Sequence, residues 1–536
     1  MTTALRATVA IVGAGASGAA VAWRLASAGI DVLCLEQGGW MDQARSPARG
    51  HGWERALQSR FHPDPNIRRA KEDYPVAAQD TPIQPASFNG VGGGTLRWGA
   101  HFPRLRPSDF RVRSLDGVAD DWPLSYEDLE RWYDLNDEMT GVAGLAGDPG
   151  NPPRRAPRDP PLPLGAGGMR LAAGFDALGW HWWPSDAAIL TRPRPGRAPC
   201  NNCGPCGVGC VRGARASNDN TYWPAAIAAG ARLVTGARVT RLATAQAGRR
   251  IGAIEFVDAE GVARRVESDI VVLAANGMGT PRLLLASADA HHPRGLANGS
   301  GLVGRRLMHH PTAIVTGVFD ERLDGHKGPF ACALYSQEFY ETDPARGCAR
   351  GFQLQMLRGS GPVATALGGY MRRIGWGRGH HREFARQFAR GATLTVTVED
   401  LPEEGNRVEL DATLRDAMGM PAPRLSYRLG ENSRRLLDFG IARASEALRA
   451  AGARDILVNP LSRQAGFHFL GTARMGEDPA RSVVGVDGLC HEVANLAIAD
   501  GSVFVTSGAV NPTPTIQALA LRMADAIVAR LERRGG

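Results

Sequence analysis

Close to its start the chain runs Thr8-Val9-Ala10-Ile11-Val12 directly into Gly13-Ala14-Gly15-Ala16-Ser17-Gly18, and no other stretch restricts the fold as tightly. The apolar run reads as a buried strand. The periodic apolar residues behind it predict a helix from about Ser17 to Ala28, closed by Gly29, and then a second strand from Asp31 to Glu36. In such a βαβ unit the glycines divide the work. Gly13 permits the tight turn, Gly15 lets backbone N–H groups approach a pyrophosphate, and Gly18 allows close helix–strand packing. Ser17 sits where the helix N-terminus would face phosphate, and Glu36, 18 residues after Gly18, can accept from ribose hydroxyls. In a chain with 66 glycines a bare G-x-G-x-x-G is weak evidence. With strand, helix, second strand and terminal acid all present, it predicts dinucleotide binding.

The remaining organisation fits a large α/β protein with a second layer. At 536 residues there is ample chain for two intimately joined domains. A second glycine loop, with Gly92, Gly93, Gly94 and Thr95 at its centre, is flexible enough that an ordered form needs something to wrap. The Pro- and Arg-rich stretch from Pro152 to Pro199 reads as an irregular insertion, with Trp180, Trp182 and Trp183 expected as core. The run Ile270-Val271-Val272-Leu273-Ala274-Ala275 suits a strand buried on both faces. From about Val315 to Tyr427 the pattern alternates, as in Thr393 to Val398, which predicts antiparallel strands with one face covered. A helix follows Ser433, with Leu437, Ile441, Ala444 and Leu448 on one face and Gly452 at its end. The last segment returns to α/β character: a short strand at Leu496 to Ala499, Asp500-Gly501, and a helix opened by Asn511-Pro512-Thr513 and running through Leu531. The expected class is therefore α/β plus an antiparallel sheet.

Charge narrows the partners. The balance is 62 − 54 = +8, but only Lys71 and Lys327 are lysines, and the arginines are interleaved with acids. That is a mixed solvated surface, which argues against nucleic acid. No apolar run approaches the ~18 residues needed to span a bilayer, so no integral membrane segment is expected. The immediate strand leaves no room for a signal peptide. The expected location is cytoplasmic, with export in the company of a signal-bearing partner left open.

Four of the eight cysteines fall at Cys200, Cys203, Cys206 and Cys210. Their C-x2-C-x2-C-x3-C spacing is that of an iron–sulfur run, with glycines that would let the backbone wrap a cluster. A four-thiolate zinc site and plain structural or disulfide-paired cysteines are the other two readings.

Five blocks, in order, resemble the glucose–methanol–choline (GMC) oxidoreductases, flavoenzymes that oxidise alcohols with FAD. They are Gly13 to Gly18 with Glu36; Gly92-Gly93-Gly94-Thr95; Asn276-Gly277-Met278-Gly279-Thr280-Pro281; His468-Phe469-Leu470-Gly471-Thr472-Ala473-Arg474-Met475-Gly476; and Asp500-Gly501 with Asn511-Pro512-Thr513. In block order the chain is most similar to bacterial FAD-dependent sugar and polyol dehydrogenases and to pyranose oxidases. The resemblance implies a Rossmann-like FAD-binding domain from residues 1–45, 80–115, 200–312 and 465–536. It also implies a discontinuous substrate domain, built on an antiparallel sheet, from residues 46–79, 116–199 and 313–464. It makes His468 the base that takes the hydroxyl proton as hydride moves to flavin N5, and Asn511 the partner of the alkoxide oxygen. Asp500, Gly501, Pro512 and Thr513 would border the flavin, whose anionic reduced ring the helix start would stabilise. Relatives that attach flavin covalently use a histidine where this chain has Arg97, so FAD is expected to be non-covalent. The implied substrate is an alcohol, with a sugar, polyol or glycoside preferred. Electrons would pass to an acceptor other than oxygen, a cytochrome or small partner subunit among the candidates. An oxygen-using oxidase and a non-redox flavin lyase are the alternatives.

Overall fold

The computed structural model describes residues 5–330, 333–368 and 374–535. Its centre is a seven-stranded sheet in which Leu5–Val12 pairs in parallel with Val32–Glu36 on one side and Ala263–Leu273 on the other. Arg232–Thr235 extends the sheet beyond Val32–Glu36. The long strand Ala263–Leu273 divides its free edge: its first half pairs with Arg250–Val257, which pairs in turn with Arg238–Ala245, and its last residues pair with Leu496–Ile498. Ile270 to Leu273 are buried, as a strand covered on both faces requires. Helix Ala16–Ser27 packs on this sheet beside the C-terminal helix Thr513–Gly535. Both ends of the chain thus meet at one place.

A six-stranded antiparallel sheet forms the second layer, in the order Asp455–Asn459, Thr312–Val318, Gly391–Val398, Phe352–Leu357, Leu334–Ser336 and Trp183–Pro184. Pleating sends Ala313, Val315, Leu354, Met356, Leu394 and Val396 to one face, where helices Gly165–Leu178 and Glu431–Ala450 cover them. The opposite face was expected to meet solvent, yet Thr393, Thr395 and Thr397 are buried as well. That face roofs a cavity, described below, so the hydroxyl-bearing alternation reflects a polar interior wall. The strands Arg407–Arg415 and Pro421–Ser426 belong to a separate three-stranded sheet with Ala77–Asp80.

The insertion is less irregular than expected. Gly165–Leu178 is a helix despite Gly165, Gly167, Gly168 and Gly174, because Leu171, Ala172 and Phe175 bury against the second sheet and outweigh the low propensity. Trp180 and Trp182 pack partly buried against the same core, and Trp183 lies in a short edge strand. Among the described residues, no helix is long and apolar enough to cross a membrane.

Candidate active site

A cavity of about 410 Å³ runs from the glycine edge of the parallel sheet to the polar face of the antiparallel one. Gly13, Gly15, Ser17 and Glu36 line one end, with Gly93, Gly94 and Thr95 opposite them. The other end is bordered by Asp500, Gly501, Pro512 and Thr513, then by His468 and Asn511. Gly18 and Gly92 lie behind this wall. A Cβ on Gly18 would sit 2.0 Å from the Gly13 carbonyl oxygen, which is the close helix–strand approach its position predicts. Gly92 N–H donates to the Ala14 carbonyl at 2.9 Å and ties the two glycine loops together.

The donor set fits a dinucleotide. No atom lies within 4 Å of where a Cβ of Gly15 or Gly94 would stand, so the cradle is open at the two places where backbone must approach a phosphate. The Glu36 carboxylate accepts from Ala14 N–H at 2.9 Å and Gly38 N–H at 2.8 Å, which fixes it in the wall with acceptor capacity left for ribose. Burial raises its pKa, and these backbone bonds oppose the rise. Helix Thr513–Gly535 begins on the cavity, so its unpaired N–H groups and positive dipole end face whatever lies there. The Asp500 carboxylate is occupied in its own bonds, accepting from Thr280 Oγ1 at 2.5 Å and Ser502 N–H at 2.9 Å.

Two residues outside the expected set hold the loops in place. The buried Arg215 guanidinium donates to the Thr95 and Leu96 carbonyls at 2.5 and 2.7 Å. Asn218 donates through Nδ2 to the Gly15 and Ala16 carbonyls at 3.0 and 2.9 Å, and its N–H donates to Thr95 Oγ1 at 3.0 Å.

At the reactive end each expected residue has a histidine behind it. Asn511 Oδ1 lies 3.0 Å from Nδ1 of His101, whose pKa burial lowers to about 4. His468 Nδ1 lies 2.9 Å from Nδ1 of buried His310, with the rings nearly perpendicular. His309 Nδ1 is 2.7 Å from the His468 carbonyl oxygen, to which it donates. The backbone N–H of His309 donates to Asp400, which also receives the Tyr427 and Ser433 hydroxyls. Burial pushes Asp400 up to about 7 and His309 and His310 down to about 4. His468 is held well below the usual imidazole value, chiefly by desolvation; charge repulsion from His310 and His309 adds to this only where those rings are themselves protonated, well below neutral pH. A neutral imidazole therefore faces the cavity at physiological pH. His101 follows the second glycine loop by a few residues, which is a usable sequence signal. Nothing local distinguishes His309 and His310 among 13 histidines.

Comparison with known proteins settles the family. The description GMC oxidoreductase matches residues 185–312 and 402–520, and an NAD(P)-binding Rossmann-like domain matches residues 11–70. The 2-methyl-1,2-propanediol dehydrogenase of Mycolicibacterium austroafricanum is 42% identical, covering 99% of this chain and 96% of that protein. This chain belongs to the GMC oxidoreductases. The fructose dehydrogenase large subunit of Gluconobacter japonicus is 31% identical, covering 99% of each chain. Among solved structures, an Aspergillus oryzae formate oxidase variant studied for its FAD modification has a TM-score of 0.66 at 16% identity, covering 99% of this chain and 100% of that one. At that identity the likeness speaks for the fold.

Within this GMC oxidoreductase the cysteine run departs from expectation. Cys200, Cys203, Cys206 and Cys210 line a small separate pocket as free thiols. Among the described residues no group of three or more His, Cys, Asp or Glu side chains is placed to hold a metal ion. The iron–sulfur expectation is therefore not supported. Spacing alone does not make four thiols converge: Cys200 Sγ accepts from Asn202 N–H and Cys210 Sγ from Arg215 N–H, each at 3.4 Å, and Cys203 is exposed. The run instead flanks the second glycine loop, where the Gly207 carbonyl accepts from Arg97 Nε at 3.1 Å. The Arg97 guanidinium lies over the Phe61 and Phe88 rings, 5.8 and 5.6 Å from their centroids.

Proposed function

We propose that this oxidoreductase oxidises an alcohol hydroxyl to a carbonyl using non-covalently bound FAD. The observation that carries the reading is that His468 and Asn511, each set by a second histidine, lie on the same cavity as the two glycine loops. Gly13, Gly15, Ser17, Glu36, Gly93, Gly94 and Thr95 would hold the dinucleotide, and Pro512 and Thr513 would place the helix start beside the ring system. FAD, when bound, supplies the acceptor for the hydride that leaves the carbinol carbon. The chain's own part is proton handling and placement. His468 meets the cavity through Nε2, since Nδ1 is turned to His310, and takes the hydroxyl proton there. Asn511 accepts from His101 through Oδ1 and so turns its Nδ2 donor toward the substrate oxygen, which it orients as negative charge develops. Arg97 in place of a histidine is why the flavin is assigned as non-covalent.

The substrate wall points to a small polyol. Cross-strand registers place Gln353, Thr397 and Thr312 in one row of the sheet and Gln355, Thr395 and Ile314 in the next. Thr312, Gln355, Thr395 and Thr397 give hydroxyl and carboxamide partners, while Ile314 and Leu357 give apolar contact. Such a mixed wall matches an alcohol with a second hydroxyl near the reacting one, in keeping with relatives named for a propanediol and for fructose. Electrons are assigned to an acceptor other than oxygen. A separate electron-accepting subunit is in keeping with a relative named as a large subunit. An oxidase is the second reading, since a Streptomyces fradiae relative, 30% identical over 98% of this chain, is named paromamine 6'-oxidase. Anaerobic mixing with a panel of diols, sugars and simple alcohols tests both. Bleaching of the flavin by a diol without oxygen uptake in air supports the dehydrogenase; stoichiometric peroxide supports the oxidase; no bleaching by any alcohol refutes the reading.

A further inference from the structure

We propose that His310 is a positioning residue for the base: it keeps the His468 proton on Nδ1 and so leaves Nε2 bare toward the substrate. The inference rests on the reading of His468 as base given above, and deepens it.

The chain of hydrogen bonds begins at a carbonyl. His310 Nε2 lies 2.9 Å from the Gly508 carbonyl oxygen. A carbonyl only accepts, so His310 Nε2 carries a hydrogen. The ring is buried, and desolvation holds its pKa near 4, so at neutral pH that hydrogen is its only one. His310 Nδ1 is then a lone pair, 2.9 Å from His468 Nδ1. Two lone pairs at that separation repel, so His468 Nδ1 must be the donor. His468 is itself neutral, and its Nε2 is left as an acceptor.

The origin of this chain is fixed by backbone. Gly508 has φ +63, and a Cβ there would stand 2.4 Å from Leu105 Cδ2, so this turn is closed to other residues. Its carbonyl also accepts from Ser507 Oγ at 3.1 Å. The ionisable groups packed around the pair are tied elsewhere. His309 donates to the His468 carbonyl, Asp400 receives the His309 N–H and the Tyr427 hydroxyl, and Asp109, near Gly508, is paired with Arg350.

The consequence is dynamic as well as static. When the alcohol O–H bond breaks and the Nε2–H bond forms, His468 becomes an imidazolium and its Nδ1–H bond to His310 becomes charge-assisted. His310 therefore favours the state reached after proton transfer without carrying charge itself. It orients the ring, selects its tautomer and stabilises its cation, the three roles a buried partner of a catalytic histidine can play.

The test uses FAD-loaded enzyme, reduced anaerobically by 2-methyl-1,2-propanediol or by the panel alcohol that bleaches the wild-type flavin fastest. His310→Phe fills the same space without an acceptor. His310→Gln returns a carbonyl toward His468 and an N–H toward Gly508. The Phe variant should lower the plateau rate of flavin reduction by about 10²- to 10³-fold, within the range that loss of base function or of the correct tautomer produces. Its acid limb should move to lower pH, because the imidazolium has lost its partner. The Gln variant should recover most of the rate. An unchanged plateau in the Phe variant overturns the proposal. So does an acid limb that moves up toward the ordinary imidazole value, the mark of a loosened, wetted site, and so does equal loss in both variants. Should the Phe variant fail to hold flavin, ¹⁵N shifts of histidine-labelled wild-type enzyme, assigned with His468→Ala, decide the matter. Protonated Nδ1 and bare Nε2 at His468 support the proposal, and the reverse overturns it. If His468→Ala reduces flavin normally the underlying reading fails, whereas loss in His468→Ala with none in His310→Phe removes only this inference.

Discussion

Replacing His101 with Leu isolates the part played by Asn511. The two side chains meet at 3.0 Å, His101 buried and Asn511 half-buried on the cavity wall, and no other partner contacts Asn511 Oδ1 among the described hydrogen bonds. Leucine keeps the apolar volume but removes the Nδ1–H donor. The Asn511 carbonyl then loses a bond worth about 1 kcal/mol net, and facing the leucine it stands unpaired at a cost of about 1–3 kcal/mol. The amide escapes that cost by rotating, which turns its Nδ2 donor away from the substrate oxygen. At ~1.4 kcal/mol per factor of ten, the rate of flavin reduction should fall about 5- to 100-fold. Bound flavin and its absorbance should be unchanged, because His101 holds no part of the glycine cradle. His101→Asn, which places a donor near the same point, should keep most of the rate. Rapid-mixing reduction under anaerobic conditions reads the constant directly. A leucine variant that reduces its flavin at the wild-type rate would refute the coupling of His101 to Asn511.

Three further outcomes follow from the same geometry. Because burial holds His468 well below 6.5, the base is already unprotonated at neutral pH. The reduction rate should be flat above pH 6.5 and fall only on acidification; a rate still climbing through pH 7 would contradict this. Arg215→Met removes two charge-assisted bonds to the Thr95 and Leu96 carbonyls, for a loss of about 3–5 kcal/mol. With an unfolding entropy of roughly 1.1 kcal/mol/K for a chain of this length, the melting temperature should drop by about 3–5 °C. Flavin should also be released more readily in thermal and fluorescence assays, and wild-type values for both would dismiss Arg215 as a loop staple. Gln355→Leu makes the polar row of the sheet more apolar. The ratio of kcat/KM for a 1,2-diol to that for the matching monoalcohol should fall by about tenfold, the worth of one lost hydrogen bond to a substrate hydroxyl, and an unchanged ratio would place the second hydroxyl elsewhere.

How much could be read in advance differs between the two ends of the cavity. The glycine cradle is legible because backbone geometry admits few residues there: a Cβ at Gly13 would lie 2.5 Å from the Ala274 carbonyl oxygen, a demand that leaves a mark in any single sequence. The helix Glu431–Ala450 is legible because its apolar face repeats at helical spacing. Gly165–Leu178 is hidden by its glycines, since tertiary burial decides it. The histidines behind the reactive pair are illegible for another reason. His101 meets Asn511 across 410 positions and His310 meets His468 across 158, and no local pattern encodes such a meeting. The cysteine run shows the opposite error. Its spacing matches a cluster motif, but ligation requires convergence in space, and the thiols between Cys200 and Cys210 do not supply it.

The most direct trial of the whole account is single-turnover reduction of the His468→Ala enzyme by an alcohol that bleaches the wild-type flavin, in the absence of oxygen. With the imidazole gone and the flavin still bound, the rate should fall by about 10²- to 10⁴-fold, the contribution of a positioned base. Reduction at the wild-type rate would mean that the hydroxyl proton leaves by another route, and that the residues gathered at this end of the cavity serve some other purpose.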